Sequence, residues 1–182
     1  MKVIQTGIEG LYVLEPHVFI DNRGYFFESY SKLSFDDAGL YYNFVQDNQS
    51  KSSYGTVRGL HFQKGEHSQA KLVRVIEGTV LDVAVDLRRA SPTYGKYISV
   101  ELSGDNKRMM LIPRGFAHGF SVLSESAVFS YKCDNFYCKE SEGGIRFDDP
   151  TLAIDWRIDM TQALTSEKDK QHPFFAEFES CF

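Results

Sequence analysis

The sequence predicts an all-β protein whose strands pack as a sandwich or barrel. Short runs rich in β-branched and aromatic residues recur along the chain, turn residues separate them, and little between them carries a helical period. In order, the runs are GLYVLEPHVF, RGYFFES, TVRGLHFQ, KLVRVIEGTVLDVAVDLR, KYISVEL, RMMLIPRG, AHGFSVLS and SAVFSYKC. Only SKLSFDDAGL and the segment after Trp156 read as helical. Gly39 is placed to stop the first, and Ser166-Glu167-Lys168-Asp169 has the spacing of a capping box for the second.

At 182 residues, with 42% apolar and 25% charged content, the chain has the size of one domain with a substantial core. No linker or repeat divides it, so residues 1–182 are expected to form one unit. A net charge of −5, with both signs interspersed, leaves no broad basic face for nucleic acid, and any phosphate contact must be local. The opening MKVIQTGIEGLYVLEP lacks a basic segment followed by an apolar core, and no apolar run is long enough to span a membrane. Cys133, Cys138 and Cys181 form no CxxC pair and leave one over. Free thiols in a soluble, cytoplasmic protein are therefore expected.

Lys71 to Asp86 reads as a hairpin. With Glu77-Gly78 as a two-residue turn, Val73 pairs with Asp82 and Lys71 with Ala84. Lys71 and Asp82 then lie diagonally on one face beside Val73, Val75 and Val80, either lining a pocket or forming an exposed cross-strand salt bridge. The stretch VRGLHFQ sets a parity problem. In a regular strand Arg58 and His61, three positions apart, point to opposite faces. Gly59 offers a resolution, since a bulge there would re-aim both side chains into one cavity.

The fragment IPRGFAHGF holds Pro113, Gly115 and His118 in a PxGxxH pattern that resembles the second motif of the cupin superfamily, a double-sheet jelly roll. The first cupin motif carries HxH and then a glutamate ahead of a glycine. Here the matching positions are His61-Phe62-Gln63 and Lys71 ahead of Gly78. The resemblance thus implies a cupin-like jelly-roll barrel with short peripheral helices. An ammonium where a carboxylate ligand belongs, and a carboxamide in place of an imidazole, oppose a divalent cation. No metal and no other cofactor is expected.

Across nearly the whole chain, DNRGYFFES, FVQDNQS, TVRGLHFQ, QAKLVRVIEGTVLDVAVDLRRASPTYG, IPRGFAHGFSVLSE, FSYKCDNFY, IRFDDPTLAIDW and LTSEKD are similar, in order and spacing, to the dTDP-4-dehydrorhamnose 3,5-epimerases. The resemblance implies inversion at C3 and C5 of a 4-keto-6-deoxyhexose carried on dTDP. Both carbons flank the C4 ketone, so each step needs a base, a stabiliser for the enolate oxygen and an acid on the opposite face.

On this reading His61 is the base, because an imidazole is substantially neutral near neutral pH yet still basic enough to take a proton. The family match implies Asp169 as its orienting partner, although the capping-box position alone makes it a helix cap. Lys71 suits the enolate, supported by Asp82, and Tyr131 is the acid. Arg58 and Arg23 are the pyrophosphate candidates. Gln46 and Asn48, two apart on one strand face, are hydrogen-bonding candidates, and His118 completes the sugar end. Phe26 and Tyr137 are placed at thymine, with Glu28 accepting from its imide.

Family members are dimers with exchanged N-terminal strands, which implies a homodimer in which Arg23, Phe26 and Glu28 serve the neighbouring site. Phe174, Phe175 and Phe178 in the aromatic tail are expected to cover an apolar surface or a subunit contact. Competing readings are a C3-only epimerase or a 3,4-ketoisomerase on the same nucleotide sugar, and a non-catalytic sugar-binding cupin. A mere binder has no use for base, cation and opposite-face acid together. Because Gln63 and Lys71 break the cupin ligand set, exhaustive chelation is expected to leave turnover intact. A stoichiometric transition metal required for activity would overturn that reading.

Overall fold

A computed structural model describes residues 1–182. The strands are β1 (Lys2–Gln5), β2 (Tyr12–Glu15), β3 (Val18–Asp21), β4 (Gly24–Phe27), β5 (Gln46–Ser53), β6 (Val57–Gln63), β7 (Lys71–Glu77), β8 (Thr79–Asp86), β9 (Tyr97–Ser103), β10 (Met109–Ile112), β11 (Phe116–Val122), β12 (Ser126–Cys133) and β13 (Glu142–Gly144). One helix, α1 (Lys32–Asp37), lies between β4 and β5. A six-stranded sheet runs β1-β2-β10-β7-β12-β5 and a five-stranded sheet β13-β6-β11-β8-β9, while β3 and β4 form a separate ribbon. Every named pairing is antiparallel.

The two sheets face one another across a core shared by Val73, Val75, Met110 and Phe129 of one and Val80, Leu102, Phe120 and Val122 of the other. Their outer faces are covered as well. Phe35 and Leu40, from the α1 region, pack with Leu14, Leu72, Met109 and Leu111 behind the six-stranded sheet. Trp156, Phe147 and the tail residues Phe175, Phe178 and Phe182 pack behind the five-stranded sheet, on Leu60, Leu81, Val83 and Val85. Double coverage explains why β8 is buried at every position after Thr79 rather than alternating. The aromatic tail is thus a lid on this chain's own sheet. Ser31 caps α1, accepting the Ser34 N–H, and Gly39 follows the helix at φ 75°, where the sequence places its stop.

Two expectations are corrected. The β7–β8 hairpin does not form, since β7 lies between β10 and β12 whereas β8 lies between β11 and β9 in the other sheet. Gly78, at φ 81°, turns a corner between sheets, and a Cβ there would stand 2.1 Å from the carbonyl oxygen of Ser126. Lys71 and Asp82 therefore approach from opposing sheets rather than along one ladder. The segment after Trp156 holds only short 3-10 turns, Met160–Gln162, Asp169–Gln171 and Phe175–Glu177. Half of the capping box survives, with the Asp169 N–H donating to Ser166 Oγ at 3.1 Å.

The parity problem in β6 resolves at Gly59. His61 pairs with His118 and Arg58 with Phe120, so three steps on β6 match two on β11. Gly59 sits at φ 129°, and a Cβ on it would lie 2.5 Å from the Cα of Gly119. Gly59→Ala is expected to cost about 3 kcal/mol or more, from backbone crowding plus positive φ. Urea denaturation measures it, and a midpoint near wild type would show that the bulge tolerates a side chain.

Candidate active site

The inner faces of the two sheets are apolar at one end and polar at the other, where a cleft of about 820 Å³ opens between them. His61 and Arg58 enter it from β6, His118 from β11, Lys71 from β7, Tyr131 from β12 and Asn48 from β5. Asp169 reaches the cleft from the tail. The bulge at Gly59 is what lets Arg58 and His61 share this face.

His61 Nε2 lies 2.8 Å from Asp169 Oδ1. An ionised carboxylate only accepts, so Nε2 carries the hydrogen and Nδ1 keeps the lone pair. Asp169 Oδ2 also accepts the Gly59 N–H at 3.3 Å. Burial pushes the Asp169 carboxyl up, but the hydrogen bond and charge of His61 and the Gly59 N–H outweigh it and hold the group below its ordinary range. The capping carboxylate of the sequence reading is thus turned inward to orient an imidazole.

Lys71, Asp82 and His118 form a buried polar group at the floor. His118 Nε2 donates to Asp82 Oδ1 at 2.8 Å, and Asp82 Oδ2 has no partner. Burial pushes His118 down, so it stands as a neutral donor, and burial pushes Asp82 up against the opposing influence of His118 and Lys71. Burial likewise lowers Lys71, opposed by the nearby charges of Cys133, Asp82 and Glu142. Asp82 accordingly bonds His118 and acts on Lys71 through space, a correction to the support expected from the hairpin register. The Lys71 ammonium makes no ion pair, and its Nζ lies 5.9 Å from the centroid of the Tyr131 ring.

Tyr131 faces His61 from the opposite sheet, and burial raises its phenol, which keeps it protonated at neutral pH. Arg58 Nε donates to Ser52 Oγ at 3.0 Å, and the guanidinium makes no ion pair. Gln46 donates to Asn48 Oδ1 at 3.1 Å and accepts the Tyr137 N–H at 3.1 Å, which fixes Tyr137 at the rim. Gln63 accepts the Cys138 N–H at 2.8 Å, so its carboxamide ties a loop. Burial pushes the Cys133 thiol up to about 11.

Arg23, Phe26 and Glu28 are not brought into this cleft. Arg23 forks onto Asp21, Glu28 accepts from Ser34 Oγ at 2.6 Å, and Phe26 is 69% exposed on the ribbon. Sequence reasoning missed Glu142 and Lys168, which pair with one another at the cleft wall. The Tyr137 hydroxyl also donates to Glu142, at 2.9 Å. Glu142 belongs to no pattern that spacing picks out, and the capping-box spacing that includes Lys168 assigns that residue no role.

An imidazole held by a carboxylate and a phenol from the opposite sheet, lining one cleft beside a lysine without an ion pair, are groups able to move protons at carbon, the chemistry of a cupin-type isomerase. The chain belongs to the dTDP-4-dehydrorhamnose 3,5-epimerase family, whose model matches residues 5–177. It is 51% identical to the dTDP-4-dehydrorhamnose 3,5-epimerase of Salmonella typhimurium, over 95% of this chain and 94% of that one. The crystal structure of the Elizabethkingia anophelis dTDP-4-dehydrorhamnose 3,5-epimerase is 57% identical, with a TM-score of 0.93 over 97% of each chain. A dTDP-6-deoxy-D-glucose-3,5-epimerase from Legionella pneumophila, solved in complex with dTDP-4-keto-L-rhamnose, is 46% identical, with a TM-score of 0.93 over 98% of this chain and 94% of that one.

Asp169→Asn keeps the size of the side chain but lets an amide donate to Nε2 and select the wrong tautomer. Turnover is expected to fall at least about a hundredfold with dTDP affinity nearly unchanged. Parallel kinetics and calorimetry check this, and a normal kcat would reduce Asp169 to a structural tie.

Proposed function

We propose that this chain inverts C3 and C5 of dTDP-4-dehydro-6-deoxy-D-glucose to give dTDP-4-dehydro-L-rhamnose, a step of dTDP-L-rhamnose biosynthesis. The observation that carries the mechanism is the placement of His61 and Tyr131 on opposite walls of one cleft, with Lys71 between sheets at its floor. In each half-reaction His61 takes the proton from the carbon beside the ketone, and the C–H electrons move onto the C4 oxygen. Lys71 stabilises that enolate, its donors being free of any carboxylate. Tyr131 then protonates the carbon from the far side, and both groups recover their starting states by exchange with solvent. The neutral His118 donor and the Asp82 charge hold the floor in place.

At the nucleotide end, Arg58 receives the pyrophosphate and Asn48 and Gln46 offer hydrogen bonds, with Tyr137 at the rim beside thymine. Arg23, Phe26 and Glu28 are assigned to the site of a second copy. The projecting ribbon supports that reading, since Phe19 is 58%, Ile20 80% and Phe26 69% exposed on it. The functional unit is then a homodimer of one-domain subunits with exchanged N-terminal strands. No helix is long and apolar enough to cross a membrane. We place the enzyme in the cytoplasm on the strength of its free thiols.

Incubation with dTDP-4-keto-6-deoxyglucose in deuterium oxide tests the function. Label at both C3 and C5 with the L-sugar as product is expected. Label at one carbon would mean a C3-only enzyme, a 3-keto product a ketoisomerase, and no label above background a binding protein. In Tyr131→Phe, wash-in is expected to persist while inversion falls at least roughly a hundredfold, because the far-face acid is gone. Normal inversion by this variant would assign that proton to another group.

A further inference from the structure

His172 is used by none of this chemistry, yet it stands beside the dyad. It follows the short turn that carries Asp169, lies against Gly144, and meets the His61 ring edge-on with centroids 5.7 Å apart and planes at 70°. Its Nε2 is buried and has no hydrogen-bond partner. A buried polar atom without a partner calls for an explanation. One ligand atom each from His61, Asp169 and His172 lies within 4.8 Å of the others.

We propose that these three residues form an inhibitory site for a divalent transition-metal cation of the Zn2+ type. Two imidazoles and a carboxylate with an open fourth position suit such an ion. Tetrahedral coordination at about 2.0–2.1 Å brings ligand atoms to about 3.3 Å from one another. His61 Nε2 and Asp169 Oδ1, at 2.8 Å, need only open slightly. His172, on the same turn as Asp169, closes by ring rotation.

The site uses the tail side of His61 and is distinct from the cupin position that Gln63 and Lys71 break. The consequence follows from tautomer chemistry. A cation that takes the Nε2 electron pair displaces the hydrogen there, and the neutral ring then carries its hydrogen on Nδ1. The lone pair proposed to accept the substrate proton is lost. Occupancy rests on the ligand geometry alone, whereas inhibition rests on the proposed role of His61.

The test uses full-length protein carrying Cys138→Ser and Cys181→Ser, so that accessible thiols do not compete for metal. Co2+ is the spectroscopic probe and Zn2+ the inhibitor. One equivalent of Co2+ is expected to give visible d–d absorption, Zn2+ to abolish it, and turnover to fall in step with Zn2+ occupancy. His172→Phe, which keeps an aromatic ring against His61, should lose the bands and weaken Zn2+ inhibition at least about tenfold. His172→Gln serves if the first variant does not fold by circular dichroism. Absence of bands in the His172 protein, or bands and inhibition unchanged in the variant, would overturn the proposal. Bands with undiminished turnover would support the site and count against His61 as the base.

Discussion

The distance between two backbones governs the cleft. Gly59 and Gly119 face each other where β6 crosses β11, so close that a Cβ on the second would lie 2.7 Å from the carbonyl oxygen of Arg58. With no side chain on either, β6 can bulge and present Arg58 and His61 on one face. The Gly59 N–H, at that same irregularity, donates to Asp169. One departure from regular pairing thus aims a cation and an imidazole and anchors the carboxylate that holds the imidazole's tautomer.

Burial does the complementary work at the floor. Lys71, Asp82 and His118 are each pushed toward their neutral forms, and each is partly restored by a neighbour. Had Asp82 formed a direct salt bridge to Lys71, the ammonium donors would be spent on it. Instead Asp82 bonds His118, and its charge reaches Lys71 through space. Lys71 thus lines the cleft with no ion pair to occupy its donors.

Much of this was legible in the sequence, for identifiable reasons. Strand periodicity predicted a double-sheet β fold, and parity within a single strand located the bulge. The hairpin failed because the turn rule assumes that neighbouring strands stay in one sheet. The chain passes to the other sheet at Gly78, where a side chain would meet the backbone at Ser126, a long-range contact that no local pattern encodes. The His61–Asp169 contact spans 108 positions between a strand and a segment that reads as helical but folds into short 3-10 turns, so only family likeness suggested it. Glu142 and Lys168 carried no signal. Arg23, Phe26 and Glu28 match the family pattern but lie on or just beyond the β3–β4 ribbon and do not line their own cleft.

The tail that covers the five-stranded sheet also carries Asp169. It is held by the Pro173 carbonyl accepting from the Arg146 N–H at 3.0 Å, by the Phe175 N–H donating to Asp149 at 2.6 Å, and by Phe175, Phe178 and Phe182 on the sheet. None of it forms a strand or an α-helix, so these contacts, rather than a strand ladder, hold it in place. The carboxylate beside His61 is therefore delivered by the same segment that roofs the five-stranded sheet, so a truncation that removed the covering aromatics would also loosen the hold on Asp169.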